Sequence, residues 1–209
     1  MAVAVKICGI TREADAARVA EAGADYLGLN FWPGSKRHVT VARAAALGRA
    51  ARAARPAVAL VGLFVDQPED EILAAAAALA LDVVQLHGDE PPAVVAALTA
   101  RGLTVWKAHA VRDAGDVAGL AAWPAAAHLL DAPSAGRGGS GTRFDWGLAA
   151  AAVAAGHRVV LAGGLTPDNV AAAIARVRPF AVDVASGVES APGVKDLDRV
   201  RAFLAATAA

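Results

Sequence analysis

The chain has 209 residues, of which 20 are basic and 20 acidic, so its formal net charge is zero. Balanced charge gives no electrostatic footprint for nucleic acid or for an anionic membrane surface. The single cysteine excludes an internal disulfide and any multi-cysteine metal site. The length predicts one domain over residues 1–209.

Hydrophobic residues make up 56% of the chain, and the mean hydropathy is +0.44. The longest apolar runs, such as ILAAAAALAL from Ile72, reach only about half of the roughly 20 residues that a spanning helix needs. Alanine raises the index and is also the best helix former. Because Lys6 interrupts the first apolar stretch, we expect no signal peptide and a cytoplasmic protein without membrane contact.

Short apolar runs alternate with helical segments along the chain. The predicted strands are, in order, VAVKIC, ADYLGLNF, AVALVGLFV, DVVQLH, LTVWKAH, AHLLDA, HRVVLAGG and PFAVDVASG. The predicted helices cover 12–22 after a Thr11 N-cap, 40–54, and segments after Pro68, Pro92, Asp113, Trp146, Thr166 and Lys195, with Pro167 in the first turn of the seventh.

The strands are continuous apolar runs, which is typical of a parallel sheet buried on both faces. Repeated strand–helix units leave two folds, an open doubly wound sheet or a closed barrel. A count near eight, without a composition break, favours a compact (β/α)8 barrel.

Candidate functional residues collect where the predicted strands end, which is the active-site end of such a barrel. They are Cys8, Asn30, Arg37, Asp66, Gln85, His87, Lys107, His109, Asp131, Gly163, Gly164, Asp183, Ser186 and Gly187. Each has a simpler interpretation when taken singly: a lone cysteine is often a buried hydrophobe, and a lysine can cover apolar surface with its stem. Their shared location is what favours a site.

Two glycine-containing turns, LAGGLTPDN and DVASGVE, follow the last two predicted strands. Glycine lets an anion approach backbone N–H groups, and this end of the fold commonly binds phosphate. We therefore expect Gly163, Gly164, Ser186 and Gly187 to hold the phosphate of a small-molecule substrate. The loop GRGGSGTR, residues 136–143, lacks the Gly-Lys-Ser/Thr of a P-loop, and we interpret it as a mobile lid.

Several stretches together resemble the phosphoribosylanthranilate isomerase family of tryptophan biosynthesis. They are KICGIT, GADYLGLNF with SKR, GLFV, VVQLHG, LLD, GGSGTRFDW, LAGGLTPDNV, PFAVDVASGVE and PGVKD. The resemblance implies a (β/α)8 barrel that performs an Amadori rearrangement, with Cys8 as general base and Asp131 as general acid. It also implies that Arg37 binds the anthranilate carboxylate, and we expect Gln85, His87 and Asp183 to bind substrate.

The chain departs from the family pattern at three places. Ala162 and Ala185 stand where the family usually has serine, so a hydroxyl contact to phosphate is not transferred. The lid reads Gly-Thr-Arg-Phe, with Arg143, where the family usually has Gly-Lys-Thr-Phe. We therefore transfer no lid lysine.

The implied reaction needs an acid and a base on opposite sides of one sugar. A carboxyl must keep a proton near neutrality and a thiol must lose one, so both pKa values must move from about 3.9 and about 8.5. A nearby cation favours the thiolate, and Lys107 is a candidate. The anthranilate nitrogen supplies the electron sink, so no cofactor and no metal are expected.

Two alternatives stay open. A related sugar-phosphate isomerase of histidine biosynthesis, or a dual-specificity barrel, would place aspartate where this chain has Cys8. A catalytically silent barrel would bind only a phosphorylated ligand or a protein. The sequence does not distinguish a monomer from a homodimer.

Overall fold

Eight parallel strands close into a barrel in chain order in the computed structural model, which describes residues 3–131 and 145–208. They are β1 Ala4–Cys8, β2 Tyr26–Asn30, β3 Ala59–Phe64, β4 Val83–Leu86, β5 Val105–Ala110, β6 Ala127–Asp131, β7 Val159–Leu161 and β8 Ala181–Val184. Strand β1 pairs in parallel with both β2 and β8, which closes the sheet. The predicted (β/α)8 fold is confirmed.

Helices follow the strands and form the outer layer. They are α1 Glu13–Glu21, α2 Val41–Ala54, α3 Glu69–Leu79, α4 Pro92–Ala100, α5 Ala114–Gly119, α6 Trp146–Ala154, α7 Val170–Val177 and α8 Leu197–Thr207. In the part of the chain that the structure describes, no helix has the length and apolar character needed to cross a membrane.

Local sequence explains most helix starts, but two predictions about them are wrong. The side chains of Thr40, Asp113, Asp145 and Asp196 accept hydrogen bonds from backbone N–H groups in the first turns of α2, α5, α6 and α8. Thr11 does not cap α1, because its hydroxyl donates to the carbonyl of Gly193 instead. Pro167 lies before α7, in a turn that ends where Val170 begins the helix.

The core has two shells, because alternate residues of each strand face opposite sides of the sheet. The larger shell packs the outward faces of the strands against the helices. The inner shell includes Tyr26 and Trp106, with Phe180 against them, near the end where the strands begin. Tyr26 and Trp106 pack edge to face at 5.0 Å. This end of the barrel is therefore a filled core.

A short antiparallel hairpin, which the sequence did not predict, follows β8. Strands β9 Glu189–Ala191 and β10 Val194–Lys195 form it, and Gly193 turns between them with a φ of 78°. The hairpin buries the side chains of Glu189 and Lys195 against the C-terminal end of the barrel.

Two aspartates fasten neighbouring strands at the opposite, N-terminal end. Asp25, just before β2, accepts a 2.8 Å hydrogen bond from the N–H of Val5 in β1. Asp82, just before β4, accepts a 2.7 Å bond from the N–H of Leu60 in β3 and pairs with Arg52 at 3.0 Å. Since these carboxylates lie far along the strands from the reactive residues, their effect should be on stability alone.

We expect Asp82→Ala to lower the free energy of unfolding by about 1–3 kcal/mol, because the N–H of Leu60 loses its acceptor. Urea denaturation measures the change. Asp198→Ala is the control: its carboxylate is 95% exposed and 3.7 Å from Arg201, so the loss should be smaller. Alkylation of the single thiol, Cys8, should be unchanged in both variants. Equal unfolding midpoints for Asp82→Ala and the unmodified chain would contradict the role given to Asp82.

Candidate active site

Polar residues face inward at the C-terminal end of the barrel. Val83, Leu129 and Ala181 belong to the inner core shell. The residues two positions further along each strand are Gln85, Asp131 and Asp183, so the strand period of two places these side chains on the inward face as well. Cys8 packs in a small cluster at this mouth. The strand ends thus bring these four predicted residues to one end of the barrel.

Cys8 lies in a charged environment. The fully buried ammonium of Lys6, two residues earlier on the same face of β1, is 2.9 Å from Asp183 Oδ1, and its positive charge acts on the Cys8 sulfur. Burial raises the pKa of the Cys8 thiol, and the positive charges of Lys6 and Lys195 only partly offset that rise. The expectation that the site lowers the pKa of the thiol is therefore wrong.

Lys107 is not the cation beside Cys8. It occupies the outward-facing register of β5, where Nζ donates to the carbonyl of Gly88 at 2.7 Å and to Glu90 at 3.1 Å. Glu90 also accepts from the N–H of Asp66 at 2.9 Å, so this lysine helps to fasten the loops that follow β3 and β4. The sequence placed Lys107 at the right strand end, but on the wrong face.

Arg37 is held by a buried carboxylate. Its Nε and Nη2 donate to Glu189 at 2.8 and 2.6 Å. Lys195 Nζ donates to the same carboxylate at 2.7 Å and to the carbonyl of Cys8 at 2.6 Å. Burial acts to raise the pKa of Glu189, but the bonds from Arg37 and Lys195 outweigh it and the pKa is lowered. The third guanidinium nitrogen of Arg37, Nη1, does not bond Glu189.

The end of β4 supplies an amide to the mouth. Gln85 is fully buried, and its Nε2 lies 3.0 Å from Nδ1 of His87. Within residues 3–131 and 145–208, its Oε1 has no hydrogen-bond partner. A buried amide oxygen of this kind is an acceptor for a hydroxyl group or a water. The pair Gln85–His87 therefore fits a polar substrate.

The loop after β7 has the backbone that the glycines predicted. Gly163 and Gly164 have φ values of 87° and 67°, in the left-handed region that other residues rarely adopt. Asn169 fixes this turn by donating to the carbonyl of Gly164 at 2.9 Å and accepting from the N–H of Thr166 at 2.8 Å. The turn is thus fixed in shape by its own hydrogen bonds.

The loop after β8 touches the loop after β7. Ser186 and Gly187 lie in a short 3-10 turn over Ser186–Val188. A Cβ on Gly187 would collide with the backbone carbonyl oxygen of Leu165. The absence of a side chain at Gly187 is what allows the two loops to meet, as a shared phosphate site requires.

An apolar wall that the sequence did not predict lies beside Cys8. Leu63 and Val65 are buried there, and Trp32 and Ala185 pack against them. A flat apolar group can pack against such a surface while polar groups face the opposite strands. Ala185, one of the departures from the family pattern, contributes to this wall.

Sequence reasoning missed Lys6, Glu189 and Lys195 as site residues. The spacing of Lys6, two positions before Cys8 in a strand, could have placed both on one face. Glu189 and Lys195 depend on a hairpin that carries no clear period in the sequence. The predicted lid over residues 136–143, with Arg143, lies outside the described residues.

A closed (β/α)8 barrel with its polar residues at the C-terminal mouth has the architecture of a barrel enzyme. The family model for N-(5'-phosphoribosyl)anthranilate isomerase matches residues 5–206. The chain belongs to this family of isomerases.

Individual relatives agree with the family match. The chain is 47% identical to N-(5'-phosphoribosyl)anthranilate isomerase of Myxococcus xanthus, over 99% of this chain and 96% of the relative. It resembles crystallised monomers of the dimeric enzyme of Thermotoga maritima, with a TM-score of 0.85 and 40% identity over 99% of this chain and 98% of that one. A phosphoribosyl anthranilate isomerase solved in complex with reduced 1-(o-carboxyphenylamino)-1-deoxyribulose 5-phosphate gives 0.86 and 39%, over the same shares.

A histidine cluster lies outside the barrel mouth. His109, which the sequence assigned to the mouth, occupies the outward register of β5, and its Nε2 is 3.1 Å from Nδ1 of His128. The rings of His157 and Trp123 pack against this pair. Burial lowers the pKa of His109 to about 3 and that of His128 to about 4, and neighbouring positive charge acts in the same direction. Both imidazoles are therefore neutral in the folded chain.

Because the unfolded chain binds protons at these histidines below about pH 6.5 and the folded chain does not, stability should fall as the pH falls. We expect the free energy of unfolding to be lower at pH 5 than at pH 7 by about 2–4 kcal/mol. Urea titrations at both pH values measure this. The variant His109→Phe/His128→Leu should lose most of the dependence, and the exposed-site control His38→Gln should keep it. If the pH dependence of stability is unchanged in the double variant, groups other than His109 and His128 cause it.

Proposed function

We propose that this chain converts N-(5-phosphoribosyl)anthranilate into 1-(2-carboxyphenylamino)-1-deoxyribulose 5-phosphate by an Amadori rearrangement, as a step of tryptophan biosynthesis. The carrying observation is that Cys8 and Asp131 end β1 and β6 at the same mouth of a barrel of this family. A family member binds a reduced form of the same product.

Asp131 acts first in the proposed reaction, as the general acid. Its carboxyl group donates a proton to the ring oxygen of the furanose, the bond from that oxygen to C1 breaks, and the anthranilate nitrogen stabilises the resulting cation as an iminium. The half-buried position of Asp131 at the strand end suits a group that must face the substrate.

Cys8 then acts as the general base. Its thiolate removes the proton from C2, next to the iminium carbon, and the electron pair of that bond moves toward nitrogen to form an enolamine. The enolamine tautomerises to the ketone. A cation next to the sulfur favours the thiolate, so ring opening itself works against the effect of burial on Cys8.

Groups that could bind the substrate surround Cys8 and Asp131. The fixed turns at Gly163–Gly164 and Ser186–Gly187 would hold the phosphate through backbone N–H groups, and Nη1 of Arg37 would meet the anthranilate carboxylate. The wall that includes Trp32 suits the aromatic ring. Gln85 and His87 can bond sugar hydroxyls, whereas Asp183 is engaged by Lys6 and would contact substrate only through its remaining lone pairs.

This chemistry needs neither cofactor nor metal, since the substrate's own nitrogen accepts the electron pair. The single domain over residues 1–209 and the cytoplasmic location stay predictions. The choice between monomer and homodimer also stays open, although one relative is described as dimeric.

The rival activity on the aminoaldose of histidine biosynthesis is tested by assaying both substrates side by side. Cys8 stands where that family is expected to have aspartate, so we expect turnover of phosphoribosylanthranilate only. Complementation of a tryptophan auxotroph that lacks the isomerase tests the silent-barrel alternative. Soluble expression without growth would support that alternative.

We expect Cys8→Ala and Asp131→Asn each to lower kcat by about 100-fold or more, with modest changes in KM, because each removes one proton-transfer group. Loss of anthranilate fluorescence from freshly made phosphoribosylanthranilate measures turnover. Circular dichroism controls for folding. Near-normal turnover by either folded variant would reject the role given to that residue.

We expect Gly187→Ala to raise KM by about tenfold or more while kcat changes less, because the new Cβ separates the two loops proposed to bind phosphate. Inhibition by inorganic phosphate should weaken in parallel. Gly119→Ala is the matched control, since a Cβ there meets no atom within 4 Å. A Gly187→Ala enzyme that keeps both its KM and its phosphate inhibition would place the phosphate elsewhere.

A further inference from the structure

Lys6 is one of the largest side chains that are completely buried in the described part of the chain, and the proposed acid and base do not account for it. A lysine with no exposed surface loses its hydration and must be compensated by a partner. Its partner is Asp183, at 2.9 Å, directly across the β1–β8 ladder where Lys6 and Asp183 are register neighbours. Register pairing holds the ammonium in one place.

The same ammonium also interacts electrostatically with Cys8. Burial acts to lower the pKa of Lys6, but Asp183 and Cys8 together outweigh it, and the pKa is raised. Lys6 is therefore a cation at neutral pH.

Gly28 leaves open the space that the Lys6 ammonium and the Cys8 sulfur both border. Gly28 lies beside Cys8 in the β1–β2 ladder. A Cβ built on Gly28 would lie 2.8 Å from Cys8 Sγ and 3.1 Å from Lys6 Nζ. Both reactive atoms thus approach the volume that any other residue at this position would fill with its side chain.

We propose that Lys6 is a positioning residue whose ammonium, fixed by Asp183, stabilises the thiolate of Cys8 in the space that Gly28 leaves open. The proposal rests on the proposed function only in assigning that thiolate a catalytic use. Other charges near Cys8 are Lys195 in β10 and Arg37 in the loop after β2, and both are already engaged by Glu189. Of the positive charges that act to lower the pKa of Cys8, that of Lys6 has the largest effect.

The single thiol makes a direct test available, because any alkylation by iodoacetamide reports on Cys8 alone. The rate of alkylation against pH gives the pKa of the thiol without substrate. We expect Lys6→Met to raise the pKa of the Cys8 thiol by one unit or more. At any pH below that pKa, the variant should then contain about tenfold less thiolate. The rising limb of the pH profile of kcat/KM should shift to higher pH as well.

Asp183→Asn should have the opposite effect, since it removes a negative charge that disfavours the thiolate. Opposite shifts in the two variants support the proposal, because simple loosening of the site would move both in one direction. An unchanged pKa in Lys6→Met, or equal shifts in both variants, would overturn it.

Two further variants keep the test decisive. Lys107→Met removes another buried lysine from its carboxylate, Glu90, on the outer face of the barrel, and should leave the alkylation profile unchanged. If Lys6→Met fails to fold, Lys6→Met/Asp183→Asn removes both charges, and its thiol pKa should still exceed that of Asp183→Asn. Equal values for these two would overturn the proposal. Failure of the unmodified chain to turn over phosphoribosylanthranilate would reject the proposed function while leaving the alkylation result intact.

Discussion

The arrangement of the barrel mouth depends on one buried ion pair, between Lys6 and Asp183. Moving a lysine out of water costs several kcal/mol, and a partner at 2.9 Å offsets that cost only when the geometry is fixed. The β1–β8 ladder fixes it, because it closes the barrel at the step where the two residues are paired. Barrel closure and the charge next to Cys8 are therefore one structural feature.

A second buried carboxylate organises the rest of the mouth. Glu189 receives hydrogen bonds from Arg37 and Lys195, and Lys195 also binds the carbonyl of Cys8. The hairpin of β9 and β10 thus connects the loop after β2 to the end of β1. The two hydrogen bonds to Glu189 fix the direction in which Arg37 points. Breaking them is much more costly than breaking an exposed ion pair, because a buried charge would lose its partner.

The sequence predicted the fold because apolar strands and capped helices alternate in a regular order. It also located Cys8, Asp131 and the two glycine turns, since strand ends converge at one end of a parallel barrel. It failed for Lys107 and His109, because a shift of one residue moves a side chain to the other face. It could not find Glu189 or Lys195, whose contacts join segments distant in the chain and depend on an irregular hairpin.

Charge explains why these buried groups occur together. The described residues at the mouth include three fixed cations, Lys6, Arg37 and Lys195, and two carboxylates that neutralise them, Asp183 and Glu189. These five groups alone carry one excess positive charge, in a site where low dielectric strengthens every charge. A ligand with a carboxylate at one end and a phosphate at the other meets that excess and the backbone N–H groups of the glycine turns.

The positive charge of these side chains also favours an anionic sulfur, so binding an anion and ionising Cys8 compete for the same cations. The competition is relieved if the substrate becomes cationic at its centre while its ends stay anionic, which is what protonation by Asp131 and opening of the ring would produce.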